Sequence, residues 1–488
     1  MKRSRLIRPL VAALAALLAV QTALAEDPKP AASAPAADPV GIWEGALEVG
    51  PTKLRIVFHI RRDGDALSAT MDSPDQGAKG LPVKSVTFED PKLTLDVAVA
   101  QGQFVGERDA AFGELKGEWS QRGHSLPLTL KRVAAPTERK RPQVPQPPFP
   151  YRSEEVTYEH ASKKFKLAGT LTLPEGAGPF AAAILISGSG AQDRDETIFD
   201  HKPFLVLADH LSRAGVAVLR VDDRGVGGTG HDGNPKDDTS ADYATDVSSA
   251  IAYLKTRSEI DAKRIGLVGH SEGGLIAPLV AAEDASVAFA VLLAGPGVPG
   301  DELLYLQGEK LWKAGGADEA TLARNRRMQR EIFGFIKNEP DPAKGREAAR
   351  AFLRAEHAKL SDADKKEAGD VDAFAEQHSA VIEIPWFRYF LSADPRPVLQ
   401  RVKCPVLAIT GEVDLQVPPE QNLPEIEKAL KAGGNKDVTT LTMPSMNHLL
   451  QTAKTGAVTE YGDIEETMAP AALDAISAWL KARGFAKP

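Results

Sequence analysis

The chain almost lacks cysteine. Cys404 is the only one among 488 residues, so no disulfide can form within the chain and its stability must come from packed cores. Cys404 precedes a strand-like apolar run and is expected to act as a small apolar residue. Paired cysteines and His-x-x-x-His patterns are absent as well, so the sequence offers no metal-binding motif. We expect neither a metal nor an organic cofactor.

An excess of positive charge is also lacking. Lys and Arg number 59 against 67 Asp and Glu, which gives a formal net charge of −8. A chain that binds nucleic acid or an anionic membrane through its overall charge would carry the opposite sign. We therefore expect no nucleic-acid partner, and we find no pattern that indicates an oligomeric state. Hydrophobic residues make up 43%, which is enough for sizeable cores in two or three domains.

Long apolar runs are missing except at the N-terminus. A basic segment at 1–8 precedes an apolar run that ends in the small-x-small sequence Ala23-Leu24-Ala25. This is the pattern of a secretory signal peptide over residues 1–25, cut before Glu26. The alternative is an uncleaved membrane anchor, but the run is short for a span. The sequence thus predicts an exported protein, periplasmic or secreted, with no membrane anchor after cleavage.

Composition divides the next part of the chain into three segments. Residues 26–38 are rich in Ala and Pro and are expected to form a flexible leader. Residues 39–133 alternate apolar and polar positions without helical segments, which predicts a small antiparallel β domain, either a barrel or a sandwich. Residues 134–150 are rich in proline and basic residues and predict a semi-rigid linker.

Beyond residue 150, strand-like and helix-like segments alternate. The strand candidates are Val156–Glu159, Lys166–Leu173, Ala181–Ser187, Val216–Val221, Arg264–Val268, Val287–Leu293, Val406–Thr410 and Val438–Met443. The later ones are continuous apolar runs, which a sheet covered by helices on both faces requires. The pattern predicts an α/β core in two parts, 151–300 and 396–488, with a mostly parallel central sheet.

One helical segment, 301–395, interrupts this alternation and is predicted to be a cap insertion. It would lie above the carboxyl edge of the sheet, where open α/β folds place their sites. The insertion is either a lid or a helical decoration with no gating role. Its last part holds an aromatic cluster that would line a substrate pocket or pack the core of the cap: Trp386, Phe387, Tyr389 and Phe390.

The most informative motif is Gly269-His270-Ser271-Glu272-Gly273, which lies between a strand-like run and a helix-like run. A G-x-S-x-G turn in that setting lifts the serine hydroxyl above the sheet on a strained backbone. Ser271 is therefore the candidate nucleophile. A serine hydroxyl needs a base to take its proton and a carboxylate to orient that base.

His448 is the candidate base. Only three histidines follow the motif, and two of them, His357 and His378, fall in the insertion. His448 lies in the loop after the last strand candidate, where the chain order Ser, acid, His places the base. His270 adjoins the nucleophile and cannot reach back to its hydroxyl in the required geometry.

The candidate acid is Asp414, which follows the strand candidate before that loop, with Glu412 as the alternative. The negative oxygen of a tetrahedral intermediate also needs two N–H donors. The backbone N–H of Glu272 is the first candidate donor. The second is expected from the glycine-rich loop after the third strand, at Ser189 or alternatively at Gly188.

Three motifs carry a resemblance to a known family: Ser187–Asp195, Asp222–Gly228 and Gly269–Gly274. Residues 151–488 resemble the α/β-hydrolase superfamily in its serine esterase and lipase branch. Nearly the whole chain is similar to a group of bacterial exported carboxylesterases that also carry an N-terminal β domain. The resemblance implies hydrolysis of short to medium acyl esters through an acyl-enzyme, without a cofactor.

Two other functions remain open at this point. A serine peptidase or thioesterase would use the same fold and residues, and an aminopeptidase would need an acidic anchor for the substrate amine. Asp193, Asp195 and Glu272 are candidates for that anchor. The alternative from another class is a non-catalytic protein whose β domain binds a polymer or a partner.

Overall fold

The computed structural model describes residues 38–49, 52–76, 78–121 and 124–487. The predicted signal peptide and nearly all of the predicted leader lie outside the described residues. Within the described ranges, no helix is both long enough and apolar enough to cross a membrane.

The first nine strands form one antiparallel sheet in the order β4-β3-β2-β1-β9-β8-β7-β6-β5. They are β1 (Gly41–Val49), β2 (Thr52–Asp63), β3 (Ala66–Ser73), β4 (Ala78–Pro82), β5 (Ser85–Glu89), β6 (Lys92–Val97), β7 (Gly102–Arg108), β8 (Glu114–Gln121) and β9 (His124–Val133). The sheet curls so that β3 approaches β5, and Trp43, Phe58 and Phe104 are fully buried within it. The domain is therefore a single curled sheet, closer to a barrel than to a sandwich.

The second sheet has eight strands in the order β10-β11-β13-β12-β14-β15-β16-β17. They are β10 (Tyr151–Glu159), β11 (Lys166–Pro174), β12 (Phe180–Ile186), β13 (Ala217–Val221), β14 (Ile260–His270), β15 (Ala290–Leu293), β16 (Val406–Gly411) and β17 (Val438–Met443). β11 pairs antiparallel with both of its neighbours, β10 and β13. The six strands from β12 to β17 pair parallel with one another. Each predicted strand is present.

Thirteen α-helices occur in the described part of the chain. They are α1 (Pro203–Arg213), α2 (Ser240–Leu254), α3 (Gly273–Glu283), α4 (Gly300–Ala314), α5 (Glu319–Asn338), α6 (Pro342–Ala358), α7 (Asp362–Ala368), α8 (Val371–Ser379), α9 (Pro385–Ser392), α10 (Pro395–Leu399), α11 (Pro419–Ala432), α12 (Val458–Tyr461) and α13 (Pro470–Ala482). With the two sheets they confirm the predicted fold class: an α/β core with a helical insertion, preceded by an all-β unit.

Helices cover both faces of the second sheet. The apolar residues of α1 recur at helical spacing, at Phe204, Leu207 and Leu211, and pack with α13 on one face. Helices α2, α3 and α11 cover the other face. The half-buried Cys404 packs against the core on that side, and burial raises the pKa of its thiol to about 12. This double cover explains why the central strands are largely apolar.

The seven helices α4 to α10 lie between β15 and β16 and have an apolar core of their own. Phe387 and Phe390, from the aromatic cluster, are buried in that core. Because β15 runs parallel to its neighbours, its carboxyl end delivers the chain into this insertion at the same edge as the Ser271 turn. The cap therefore begins beside the candidate site.

The segment between the two sheets, 134–150, contains neither helix nor strand but is held to the α/β core. The Arg141 guanidinium donates to the carbonyl oxygens of Phe199 at 2.7 Å, Gly462 at 2.9 Å and Ile464 at 3.0 Å. Burial, together with the charge of a neighbouring arginine, lowers the pKa of Arg141 to about 10. These contacts bind the segment to the loops around α12.

Candidate active site

The backbone turns sharply at Ser271, between the end of β14 and the start of α3. Ser271 has φ 52°, in the left-handed region that side chains rarely adopt. Both glycines of the motif are needed for the turn. A Cβ on Gly269 would lie 2.0 Å from the carbonyl oxygen of Gly273, and one on Gly273 would lie 2.1 Å from that of Ile186. The turn thus depends on close backbone approach on both sides of the serine.

Helix α3 points its N-terminus at the same place. The N–H groups of the first turn of a helix have no partner within the helix and carry the positive end of its dipole. Glu272 is the residue at the start of this helix, so its N–H belongs to that set. The Ser271 N–H instead donates to the carbonyl oxygen of Leu293 at 2.9 Å, which ties the turn to β15.

The candidate base and acid are in hydrogen-bond contact. Asp414 Oδ2 lies 2.8 Å from His448 Nδ1, and both side chains are buried. Asp414 Oδ1 accepts from the N–H groups of Gln416 and Val417, at 2.8 and 2.9 Å. One oxygen of the Asp414 carboxylate is therefore fixed by its own loop. The other oxygen, Oδ2, orients the imidazole of His448 with Nδ1 protonated.

The alternative acid, Glu412, lies elsewhere. Its side chain is exposed and Oε2 accepts from the backbone N–H of Ser445 at 2.9 Å. Glu412 thus braces the loop that follows β17 and leaves the imidazole of His448 to Asp414.

The glycine-rich loop after β12 supplies the second candidate donor of the oxyanion hole. The N–H of Gly188, the alternative donor, already donates to Glu196 Oε1 at 2.7 Å. Of the two residues considered from sequence, this engagement favours Ser189. Asp223 also holds this loop in place. Its two carboxylate oxygens accept from Ser187 Oγ at 2.9 Å and from the Gln192 N–H at 2.8 Å.

The side chain of Glu272 joins the turn to the cap. Its Oε1 accepts from Ser240 Oγ at 2.6 Å and from Trp386 Nε1 at 2.7 Å. Burial raises the pKa of this carboxyl above its usual range, against the hydrogen bonds from Ser240, Trp386 and Ser189. Trp386, the first member of the aromatic cluster, therefore contacts Glu272, the residue after the candidate nucleophile, as well as the cap.

Sequence reasoning missed the side chains of Glu196 and His270. His270 Nδ1 lies 2.8 Å from Glu196 Oε1, and His270 Nε2 lies 3.0 Å from the carbonyl oxygen of His448. The rings of His270 and His448 are 4.8 Å apart between centroids. The only signal of this contact in the sequence is the acidic cluster that directly follows the glycine-rich loop.

A small cavity of about 40 Å³ lies beside the glycine-rich loop, lined in part by Gly188, Gly190, Tyr243 and Glu272. Among the residues that the structure describes, no group of three or more His, Cys, Asp or Glu side chains is placed to hold a metal ion.

Comparisons with known proteins bear on the α/β half of the chain. A model of the alpha/beta hydrolase family matches residues 183–458. Esterase EstD of Thermotoga maritima is 28% identical over 289 residues, which are 58% of this chain and 58% of that relative's own length.

Two solved structures match the chain at lower identity. An esterase of Pyrococcus furiosus is 17% identical, with a TM-score of 0.38, over 68% of this chain and 93% of that one. The alpha/beta hydrolase GrgF of a Penicillium species is 18% identical, with a TM-score of 0.42, over 68% of this chain and 98% of that one.

Proposed function

Because the chain belongs to the alpha/beta hydrolase family, we propose that it is a serine carboxylesterase whose residues Ser271, His448 and Asp414 form a catalytic triad. The observation that carries this proposal is the 2.8 Å contact between Asp414 and His448 at the sheet edge that bears the strained Ser271 turn. A serine, an imidazole with one nitrogen fixed by a carboxylate, and N–H donors from a helix start are the parts that acyl transfer needs.

In the proposed mechanism, Ser271 Oγ attacks the acyl carbonyl carbon while His448 Nε2 takes the hydroxyl proton. Asp414 holds the imidazole in the required tautomer and stabilises the imidazolium that forms. The N–H groups of Glu272 and Ser189 stabilise the negative oxygen of the tetrahedral intermediate. His448 then gives the proton to the departing alcohol, which leaves an acyl-Ser271. Water, activated by the same imidazole, releases the acid.

The proposed substrates are esters with short to medium acyl chains. The relative in Thermotoga maritima is named an esterase, which supports the ester as the bond cleaved.

An aminopeptidase is the second candidate, and the side chains that would anchor a substrate amine argue against it. Asp193 accepts from the hydroxyl and N–H of Thr197 at 2.7 and 2.9 Å, and Asp195 pairs with Lys202 and Arg220. Glu272 accepts from Ser240 and Trp386, as described above. All three acids have partners within the fold.

The test is a panel of p-nitrophenyl esters of increasing acyl length beside aminoacyl p-nitroanilides and an acyl thioester. We expect turnover of short and medium esters, and a loss of about 10⁴-fold or more in Ser271→Ala. Ser248→Ala, which changes an exposed serine on α2, is the matched control and should keep wild-type activity. Faster cleavage of the anilides or thioester, or full esterase activity in Ser271→Ala, would refute the assignment.

We also propose that the protein is exported to the periplasm or the medium. The basic segment, apolar run and Ala23-Leu24-Ala25 site support this. Fractionation of expressing cells, with N-terminal sequencing, should find a mature chain outside the cytoplasm that begins at Glu26. An uncut N-terminus on a cytoplasmic protein would contradict the proposal.

A further inference from the structure

A second carboxylate–histidine pair, Glu196 and His270, lies behind the proposed triad. Both side chains are buried, Glu196 at 4% exposure and His270 at 8%. Each ring nitrogen of His270 has a partner: Nδ1 contacts Glu196 Oε1 and Nε2 contacts the carbonyl oxygen of His448. Neither residue has a part in the acyl-transfer steps described above.

The partners of His270 determine its protonation. A carbonyl oxygen can only accept, so Nε2 must carry a proton to make its contact. Glu196 Oε1 also accepts the Gly188 N–H at 2.7 Å, as a carboxylate does. The remaining proton lies between Glu196 Oε1 and Nδ1, and it belongs to the imidazole because imidazole is the stronger base of the two. His270 is therefore an imidazolium with Glu196 as its counter-ion.

The surrounding charges are consistent with a cation at this position. Burial by itself lowers the pKa of His270, but the charge and hydrogen bond of Glu196 outweigh burial and raise the pKa above its usual value. The His448 carbonyl and the charge of Asp414 act in the same direction. The ring of His448, 4.8 Å away, is the other titratable group that faces His270.

The pair joins the three loops that must keep their positions during acyl transfer. Glu196 holds the N–H of Gly188 in the glycine-rich loop, His270 is the residue before the nucleophile, and its Nε2 holds the backbone of His448. Glu196 itself has φ 52°, and its buried Oε2 lacks a hydrogen-bond partner among the described residues. Strain and an unpaired oxygen in one residue cost stability, which fits a residue kept for its function.

We propose that Glu196 and His270 are positioning residues: a carboxylate–imidazolium pair that fixes the oxyanion loop and the backbone of His448 relative to Ser271. This inference rests on the proposed function, because it assigns the pair to the same site. The pair does not exchange protons with the substrate. Its effect is on the spacing between the Ser271 hydroxyl, the imidazole of His448 and the oxyanion donors.

The protonation of His270 can be measured without any turnover. Nitrogen-15 NMR of histidine-labelled full-length protein at about pH 7.5 should show both ring nitrogens of His270 protonated. The signals are identified by their loss in His270→Gln or, if that variant does not fold, by their shift in Glu196→Gln. A ring with one bare nitrogen would overturn the proposal, even if Ser271 proved to be the nucleophile.

The positioning role is tested by kinetics on a p-nitrophenyl ester. Glu196→Gln and His270→Gln should each lower kcat by about 10- to 100-fold, as expected for small displacements of reacting groups, and change KM by less than about threefold. The double variant should be no slower than the slower single variant, because both act through one pair. His357→Gln, which removes a buried histidine that contacts the Gly369 carbonyl in the cap, is the matched control and should keep wild-type kcat.

Two kinetic results would contradict the proposal: wild-type kcat in both single variants, or multiplicative losses in the double variant. Failure of the proposed function has a different signature. In that case Ser271→Ala would hydrolyse the ester as fast as wild type, while the NMR result for His270 would stand unchanged.

Discussion

The two carboxylate–histidine pairs are alike on one side of the imidazole and different on the other. In both pairs a carboxylate oxygen lies 2.8 Å from Nδ1, and all four side chains are buried. Nε2 of His270 meets the carbonyl oxygen of His448. Nε2 of His448 is the atom that the proposed mechanism uses to take the proton of Ser271.

This difference shows that a carboxylate beside an imidazole does not by itself make a catalytic base. A ring whose second nitrogen faces a carbonyl oxygen must keep both protons and has no lone pair for a substrate. A ring whose second nitrogen faces a hydroxyl can accept its proton. The proposed roles, one pair for chemistry and one for position, therefore rest on the carbonyl oxygen that occupies Nε2 of His270 and on the proton transfer proposed for Nε2 of His448.

The largest effect is expected from breaking the proposed catalytic pair of Asp414 and His448. Asp414→Asn should lower kcat on a p-nitrophenyl ester by on the order of 10⁴-fold, because an amide that donates to Nδ1 favours the wrong tautomer of His448. Glu412→Gln is the matched control, since the Glu412 carboxylate accepts from the Ser445 N–H in the loop after β17. Equal losses in the two variants would show that the acid was assigned wrongly.

A smaller effect is expected at the buried carboxyl group of Glu272, whose hydrogen-bond donors, Ser240 and Trp386, are neutral. Trp386→Phe keeps the aromatic ring but removes the N–H that donates to Glu272. Losing a donor to a buried acceptor should destabilise the protein by about 1–3 kcal/mol. Thermal unfolding should register the loss, with Trp312→Phe on helix α4 as the control. An unchanged Tm in Trp386→Phe would mean that this contact does not hold the cap to the turn.

The smallest expected effect is a pH dependence of thermal stability that distinguishes the Glu196–His270 pair from the Asp414–His448 pair. Against the opposing effect of burial, Glu196 raises the pKa of His270 above its usual value of 6.5, so the native state keeps a proton that the unfolded chain releases. The resulting stabilisation is complete below that value and is lost as pH rises through the native pKa. The drop in Tm caused by His270→Gln should therefore be larger at about pH 6 than at about pH 9. A drop that grows with pH would contradict the imidazolium.

Much of the fold follows from hydrophobic pattern and chain order. Strands β12, β15 and β16 are short apolar runs, the pattern expected for strands of a parallel sheet that is buried on both faces. Asp414 and His448 were predicted because both follow a strand directly, and parallel strands bring such loops to one edge. For the β domain, the sequence left both a barrel and a sandwich open. Alternation of apolar and polar residues predicts strands but not how the sheet closes.

The second pair could not be predicted in the same way. Glu196 and His270 are 74 positions apart in sequence, and neither follows a periodic pattern that would bring them together. The steric argument against His270 as the base does not bear on its contact with Glu196, which depends on the conformation of the loop after Gly188. The role of the Glu272 side chain likewise depends on Ser240 and Trp386, which come from separate helices.

The central claim is that the Asp414–His448 pair, and not Glu196–His270, activates Ser271. The most direct test is the rate of covalent labelling by a fluorophosphonate probe, with the modified residue identified by peptide mass spectrometry. We predict a single label on Ser271 in the wild type, labelling slowed by orders of magnitude in Asp414→Asn, and only a modest slowing in Glu196→Gln. A label on another residue, no label at all, or the reverse order of the two variants would contradict the account.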